Sequence, residues 1–165
     1  MLAFVRESQQ ADGSWLYAMD GKDRFVDNFH TCFVLKNLVK ANRLLADHTC
    51  DDAILRGYAF YKARLLGPGG LPVPFARVQR LTLQRRDLYD YAEGISLAVL
   101  LHDDDPDATA IAGRLVEDLL ANWVMPDGHF VTKQTVFGPN TVPYHRWAQA
   151  QVFHALTGFA LLTDS

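Results

Sequence analysis

Three turns built around a glycine recur along this chain, and each leads into an apolar helix. The turn glycines Gly13, Gly70 and Gly128 lie 57 and 58 residues apart. A constant period of this size is typical of a repeat architecture, in which each unit buries its apolar face only against its neighbours. A short extended arm follows each turn, and the next helix opens with an aromatic residue: Phe29, Tyr91 or Tyr144. The period therefore predicts three copies of one unit.

Helices of two kinds alternate within this period. Segments 28–45, 90–102 and 144–162 are apolar on nearly all sides, whereas segments 51–66 and 106–124 carry a single apolar stripe. The first kind is buried on several sides and the second lies at a surface. The pattern predicts an all-α fold, an α/α toroid or layered arrangement with about three inner helices and two to three outer ones. A plain superhelical solenoid has more equal helices and shorter periods, roughly 34 to 45 residues.

Composition narrows the class of protein. At 165 residues with 49% apolar content, the chain fits a single domain over 1–165. A net charge of −3 argues against a nucleic-acid surface. The most basic stretch contains Arg77, Arg80, Arg85 and Arg86, and we interpret it as a solvated or substrate-facing loop, with an anion site as the alternative.

The sequence also bears on location. No stretch reaches roughly 18 uncharged apolar residues, so no membrane span is expected. The first residues lack the basic start and apolar core of a signal peptide. Cys32 and Cys50 are too few for a secreted disulfide framework. We therefore expect idle thiols, a reducing compartment and a cytoplasmic protein.

Two short motifs carry a family resemblance. The first is Asp12-Gly13-Ser14-Trp15, followed by Phe25-Val26-Asp27-Asn28-Phe29-His30-Thr31. The second, in the last predicted repeat, is Val142-Pro143-Tyr144-His145-Arg146-Trp147-Ala148-Gln149-Ala150. Both resemble the α/α-toroid superfamily of carbohydrate-active lyases, unsaturated glucuronyl hydrolases, sugar epimerases and terpenoid cyclases. They look closest to bacterial proteins associated with polysaccharide biosynthesis. A complete six-hairpin toroid of this superfamily has roughly twice this length, so the resemblance implies half a ring. Such a half is a carboxy-terminal portion of a larger toroid, or it is completed by a partner or by a second copy in a homodimer.

The resemblance also implies a site at the inner-helix starts. Helix amino termini favour anions, so an acidic saccharide or oligosaccharide is a reasonable ligand. The predicted catalytic residues are Glu93, Asp27 and His30. The predicted substrate-binding residues are Arg146, Trp147, Tyr144, His145, Gln149, Tyr91, Asp90 and Trp15.

Structural roles fit several of these residues equally well. Asp27 is also suited to capping a helix, and His30 to a place in the core. Glu93 lies on an apolar helix, where burial destabilises a carboxylate that is neither paired nor functional. Arg146 is its natural partner in sequence terms, either in a structural ion pair or as a clamp for a sugar carboxylate. A structural pair predicts that Glu93→Gln disrupts folding, and a catalytic acid predicts that it abolishes activity alone.

One further motif suggests a different chemistry. The run His102-Asp103-Asp104-Asp105-Pro106-Asp107 matches the DDxxD pattern of magnesium-dependent isoprenoid enzymes, although acidic residues before Pro106 also suit a helix start. The histidines are scattered and no zinc motif is present, so we expect no metal and no cofactor. Three functions remain open: saccharide processing by a lyase-, hydrolase- or epimerase-like enzyme, a non-catalytic scaffold or interaction domain, and isoprenoid chemistry.

Overall fold

The computed structural model describes residues 1–46, 48–78 and 81–164, and Arg80 of the basic stretch lies outside these ranges. The predicted all-helical fold is confirmed. The helices are α1 Leu2–Glu7, α2 Asn28–Leu45, α3 Asp51–Arg64, α4 Leu88–Leu100, α5 Ala108–Asn122 and α6 Ala150–Thr163. The short strands are β1 Val26–Asp27, β2 Phe75–Arg77, β3 Gln84–Asp87, β4 Lys133–Thr135 and β5 Gly138–Asn140.

The helices form two layers. The inner helices α2, α4 and α6 lie side by side in a row, and the outer helices α3 and α5 pack on α2 and α4. One apolar core fills the space around α2 and α3, and a second fills the space around α4, α5 and α6. Both cysteines, Cys32 and Cys50, are free and buried. None of the helices in the described ranges is both long and apolar enough to cross a membrane.

The three glycine turns have the same backbone geometry. Gly13, Gly70 and Gly128 have φ values of 90°, 74° and 91°, a region that L side chains rarely adopt. In each turn the glycine N–H donates to the carbonyl three residues earlier, and the N–H of that earlier residue donates to the carbonyl four residues further on, at 2.8 to 3.0 Å. The sequence period is therefore a structural period.

The arms of the second and third repeats each cover the start of the preceding inner helix. The Asn28 N–H donates to the carbonyl of Pro74, and the Leu88 N–H donates to that of Thr132, both at 3.0 Å. Strand β1 pairs with β2, and β3 pairs with β4, in antiparallel fashion. Because these arms supply the acceptors, the first two inner helices begin in buried, hydrogen-bonded surroundings.

The third inner helix differs from the other two. It begins as a π-helical turn, His145–Gln149, and the residues before it are exposed. Within α6 only Val152 and Ala155 are buried, whereas Phe153 and Leu161 are 74% and 69% exposed. The all-round apolar pattern predicted burial on several sides, and one side of α6 is open because no fourth repeat lies beside it in the described chain.

Candidate functional site

A row of aromatic rings crosses the starts of the inner helices. Tyr17 lies edge-on to the His30 ring at 4.8 Å, and the Phe29 ring lies 4.1 Å from that of His30. Phe29 contacts Tyr89 at 5.1 Å, and Tyr89 reaches Trp147 at 6.3 Å between ring centroids. Flat aromatic faces of this kind offer apolar contact area beside polar tips. The row thus joins the first arm to all three inner helices.

A cleft of about 480 Å³ opens along this row. Its aromatic wall is formed by Phe29, Tyr89, Tyr144 and Trp147. Four polar residues also line it: Asp87, Thr132, Lys133 and Asn140. A cleft with an apolar wall and a few placed polar groups has the composition of a small-molecule site.

His30 is held by a carboxylate. Its Nδ1 lies 2.6 Å from Oδ2 of Asp27, whose side chain is 5% exposed against 38% for His30. The Thr31 hydroxyl donates to the Asp27 carbonyl at 2.6 Å, which fixes the turn that carries the carboxylate. With Nδ1 donating to Asp27, Nε2 is the nitrogen free to accept a proton. Asp27 makes no side-chain cap of α2, so the capping role considered for it is not observed.

Asp90 is the most isolated acid of the site. It is 1% exposed, and neither of its oxygens makes a well-formed hydrogen bond within the described residues, although the Phe29 amide acts to lower its pKa. Burial, with Asp87 and Asp27 nearby, raises the pKa of Asp90 well above its ordinary value. Ionisation of Asp90 is therefore less favourable than that of an exposed aspartate.

Asp87, by contrast, is fully partnered. Its carboxylate caps α4 by accepting from the Tyr89 amide at 3.0 Å, and it accepts from Gln84 and Lys133 at 3.1 Å each. Asp87 holds the place in the second repeat that Asp27 holds in the first, immediately before an inner helix. Asp87 lies 60 residues after Asp27, whereas the turn glycines repeat at 57 and 58, so the sequence period alone does not identify this residue.

Glu93 forms an ion pair, but with a different partner from the one predicted. Its carboxylate contacts the ammonium of Lys36 on α2, with side chains 3% and 15% exposed. Burial raises the pKa of Glu93, although Lys36 acts in the opposite direction. Arg146 is exposed at the start of the third inner helix. The proposed Glu93–Arg146 pair is therefore wrong, because α2 rather than α6 brings a cation to Glu93.

The remaining predicted binding residues divide into two groups. Tyr144, His145, Arg146 and Trp147 are exposed at the open end, and Tyr144 and Trp147 line the cleft. The other group makes structural contacts. Gln149 exchanges two hydrogen bonds with the main chain of Phe130, Tyr91 donates to Asp118 of α5, and the Trp15 indole donates to the Val5 carbonyl.

The acidic run lies away from this cluster. Asp104 pairs with Arg43 at 2.9 Å and Asp105 with Lys62 at 3.0 Å. An apolar cleft of about 390 Å³ adjoins both carboxylates. Within the described ranges, no three His, Cys, Asp or Glu side chains are placed to hold a metal ion. Two arginines of the basic stretch are also paired: Arg77 reaches Asp12 and Arg86 reaches Asp118, at 3.4 Å each.

Several solved structures share this fold. A cellobiose 2-epimerase from Spirochaeta thermophila DSM 6192 superposes with a TM-score of 0.83 at 14% identity, over 99% of this chain and 46% of the epimerase. A D-mannose isomerase gives 0.76 at 16% identity, over 99% of this chain and 46% of the isomerase. An alpha-amylase from Clostridium perfringens gives 0.61 at 12% identity, over 84% and 41% of the two chains.

These likenesses establish the fold. The chain has the architecture of about half of an α/α toroid, as its motifs predicted. It spans less than half the length of the first two structures that it matches. No protein-family model and no curated protein sequence matches the chain.

Proposed function

We propose that this chain is part of a saccharide-processing enzyme in which His30 moves a proton on a sugar held against the aromatic row. The observation that carries the proposal is the Asp27–His30 pair at 2.6 Å, since His30 is itself a member of that row. A histidine oriented by a buried carboxylate is suited to general acid–base work near neutral pH. Sugar rings have apolar C–H faces that pack on aromatic side chains, and hydroxyl groups that suit the polar wall of the cleft.

The reaction class that fits is proton transfer beside a carbonyl. In an open-chain aldose, Nε2 of His30 would take the proton from C2, and the C–H electron pair would form an enediolate. Return of a proton to C2 from the opposite face gives the epimer. Return to C1, with the O2 proton passing to O1, gives the ketose. Two proteins of the same fold carry names of this class, the cellobiose 2-epimerase and the D-mannose isomerase. A role in polysaccharide biosynthesis and a cytoplasmic location remain predictions from the sequence.

The test is hydrogen exchange at C2. Cellobiose and D-mannose are incubated with the protein in deuterium oxide, and loss of the C2 proton signal is followed by NMR. His30→Gln should slow exchange at least about 100-fold, the lower end of general acid–base contributions. His48→Gln is the matched control, because His48 also pairs through Nδ1 with an aspartate three positions away, at 2.9 Å. Equal rates in the wild type and His30→Gln would reject the proposed base.

A second candidate is a non-catalytic saccharide-binding or interaction domain. The open side of α6 and the exposed start of the third inner helix favour it. Nothing in the described chain lies opposite that end of the cleft, so no acid or base is supplied from that side. Sugar binding without exchange at C2 would support it. Isoprenoid chemistry gains no comparable support, since Asp104 and Asp105 are paired with Arg43 and Lys62.

A further inference from the structure

Two buried aspartates hold equivalent places in the first two repeats. Asp27 and Asp87 each come directly before an inner helix, and they are 4% and 5% exposed. Asp27 contacts Nδ1 of His30 at 2.6 Å. Asp87 contacts the ammonium of Lys133 at 3.1 Å. The proposed function uses the first pair, and the second pair has the same form but supplies a positive charge.

Lys133 reaches the cleft from the third arm. It lies in β4 opposite Asp87 of β3, and its side chain is 43% exposed. It lines the cleft together with Phe29 and Tyr89, and among the described lining residues it is the one lysine or arginine. The ammonium has three N–H donors, and Asp87 takes one of them, so Lys133 can serve a second acceptor.

The other cations of this region are paired elsewhere or lie outside the cleft. Lys36 contacts a buried carboxylate on α4, and Arg86 reaches Asp118 of α5. Arg146 is exposed, but it does not line the cleft. Within the described residues, Lys133 is therefore the cation best placed to meet a sugar there.

The base and the cation are associated with the two rings of one aromatic pair. Phe29 and Tyr89 each follow their repeat's aspartate by two positions, and their ring centroids lie 5.1 Å apart. The His30 ring lies 4.1 Å from that of Phe29. Lys133 contacts the aspartate whose carboxylate also accepts from the Tyr89 amide. A sugar lying on this pair has the base at the Phe29 side and the cation at the Tyr89 side.

The proposed reaction creates a negative charge at a defined atom. When Nε2 of His30 takes the C2 proton of an open-chain aldose, the C2–H electron pair forms the C1–C2 double bond. The π pair of the carbonyl then moves to O1, which becomes an oxyanion. A donor already in place at such an oxygen is often the largest single contribution to catalysis.

We propose, on the basis of the function proposed above, that Lys133 is a second catalytic residue whose ammonium binds O1 and stabilises the enediolate. Its charge offsets the one that develops on O1 as the C2 proton leaves. Lys133 keeps its protons throughout. When a proton returns to C2, the O1 pair forms the carbonyl again, so the step needs no co-reactant.

The fold does not depend on Lys133. Asp87 also accepts from the Tyr89 amide at 3.0 Å and from Gln84 at 3.1 Å, so two donors remain when the lysine is replaced. The lysine itself is 43% exposed and its charge is hydrated. Lys133→Met should therefore fold, which circular dichroism confirms, and its effect on the reaction can be measured.

The first test follows hydrogen exchange at C2 of D-mannose at several sugar concentrations. Lys133→Met should lower kcat about 100-fold or more, the usual effect of removing one oxyanion donor. KM should change little, because the interaction is made with the intermediate. Lys133→Arg keeps the charge and should be faster than Lys133→Met. Lys62→Met is the matched control, since Lys62 pairs with Asp105 at 3.0 Å and does not line the cleft.

The outcomes separate this inference from the proposed function. Unchanged kcat in Lys133→Met would overturn it, and so would a raised KM with unchanged kcat, which reports binding of the ground state alone. Equal rates in Lys133→Met and Lys133→Arg would reject the role of the charge. Slow exchange in His30→Gln with normal exchange in Lys133→Met would reject Lys133 alone, whereas a wild type without exchange would reject both proposals.

A second measurement needs no turnover. D-arabinonohydroxamate is a stable analogue of the enediolate, because its planar hydroxamate group places two oxygens where the enediolate has O1 and O2. By calorimetry it should bind the wild type about 100-fold more tightly than D-mannose does. Lys133→Met should lose most of this preference, and Lys62→Met should keep it. The same preference in the wild type and in Lys133→Met would overturn the inference.

Discussion

Removing the cation beside Glu93 should destabilise the fold strongly. In Lys36→Met the methionine keeps most of the apolar stem, but the Glu93 carboxylate, 3% exposed, loses the ammonium that neutralises it. Breaking one side of a buried ion pair costs about 3–5 kcal/mol. Two factors limit this loss. The Lys36 side chain is 15% exposed, so the pair is partly hydrated. The unpaired carboxyl can also take up a proton, and each unit by which its pKa is raised corresponds to about 1.4 kcal/mol of free energy. We therefore expect a loss near the lower end, about 3 kcal/mol at pH 7.

Urea unfolding followed by circular dichroism measures this loss. With a slope of about 2 kcal/mol per molar, the unfolding midpoint should fall by about 1.5 M. The double variant Lys36→Met with Glu93→Gln carries no buried charge and should recover about half of the loss or more. If the double variant were no more stable than Lys36→Met, the loss would come from packing and not from the unpaired carboxylate.

A matched pair on the outer layer provides the control. Lys62 pairs with Asp105 at 3.0 Å, with side chains 35% and 13% exposed. Each lysine also lies over an aromatic ring, Lys36 over Phe33 at 5.5 Å and Lys62 over Tyr58 at 4.7 Å. Because the Lys62 pair is better hydrated, Lys62→Met should cost about 1 kcal/mol or less. Equal losses in the two lysine variants would refute the argument from burial.

The pH dependence has a definite sign. Burial raises the pKa of Glu93 in the folded state, and removal of Lys36 raises it further. Below the ordinary value of 4.5 the carboxyl is protonated in both states and imposes no penalty. As pH rises through the folded pKa, the unfolded chain ionises more readily and stability is lost. The deficit of Lys36→Met should therefore shrink between pH 7 and pH 5.

Three other substitutions test separate features by the same unfolding assay. Asp90→Asn should stabilise the protein by about 1 kcal/mol at pH 7, since the pKa of Asp90 is raised, and the gain should vanish below about pH 4; a loss at pH 7 would contradict the assigned isolation of this acid. Gly94→Ala should cost about 1–2 kcal/mol despite better helix propensity, because its Cβ would lie 2.7 Å from the hydroxyl of buried Tyr61; a stabilised variant would mean that the helices can separate. Gly128→Ala has open space around it but a φ of 91°, so about 1 kcal/mol should be lost to backbone strain alone, and no loss would show that this turn relaxes.

Much of the fold could be predicted because its signals are local. The three turns require a positive φ, which glycine adopts more easily than other residues. The same residue type therefore recurs in every turn, and the period is visible in the sequence. The distinction between inner and outer helices follows from how many sides of a helix are apolar. The Asp27–His30 pair could also be predicted from the sequence, since residues three apart at a helix start lie on the same side of the helix.

The partner of Glu93 could not be predicted in this way. It depends on the register between α2 and α4, which is set by packing over many side chains and leaves no local mark in the sequence. Arg146 and Lys36 both carry the positive charge that Glu93 needs, and the sequence does not distinguish between them. The fold brings the Lys36 ammonium, and not Arg146, into contact with the Glu93 carboxylate. The exposure of one side of α6 could not be predicted for a related reason. The apolar pattern of a helix shows which of its sides can be buried, but it does not show whether a neighbouring element is present to bury them.

The direction in which arms cover helix starts gives the repeat array a polarity. The second repeat's arm caps α2, and the third repeat's arm caps α4, through the Asn28 and Leu88 amides. If the third repeat unravels, α4 loses the acceptor at its start, and α2 follows once the second arm detaches. Among the described residues, detachment of the first arm uncovers no helix start. Cooperativity therefore runs backwards along the chain, so a lesion near the carboxy terminus propagates further than one near the amino terminus.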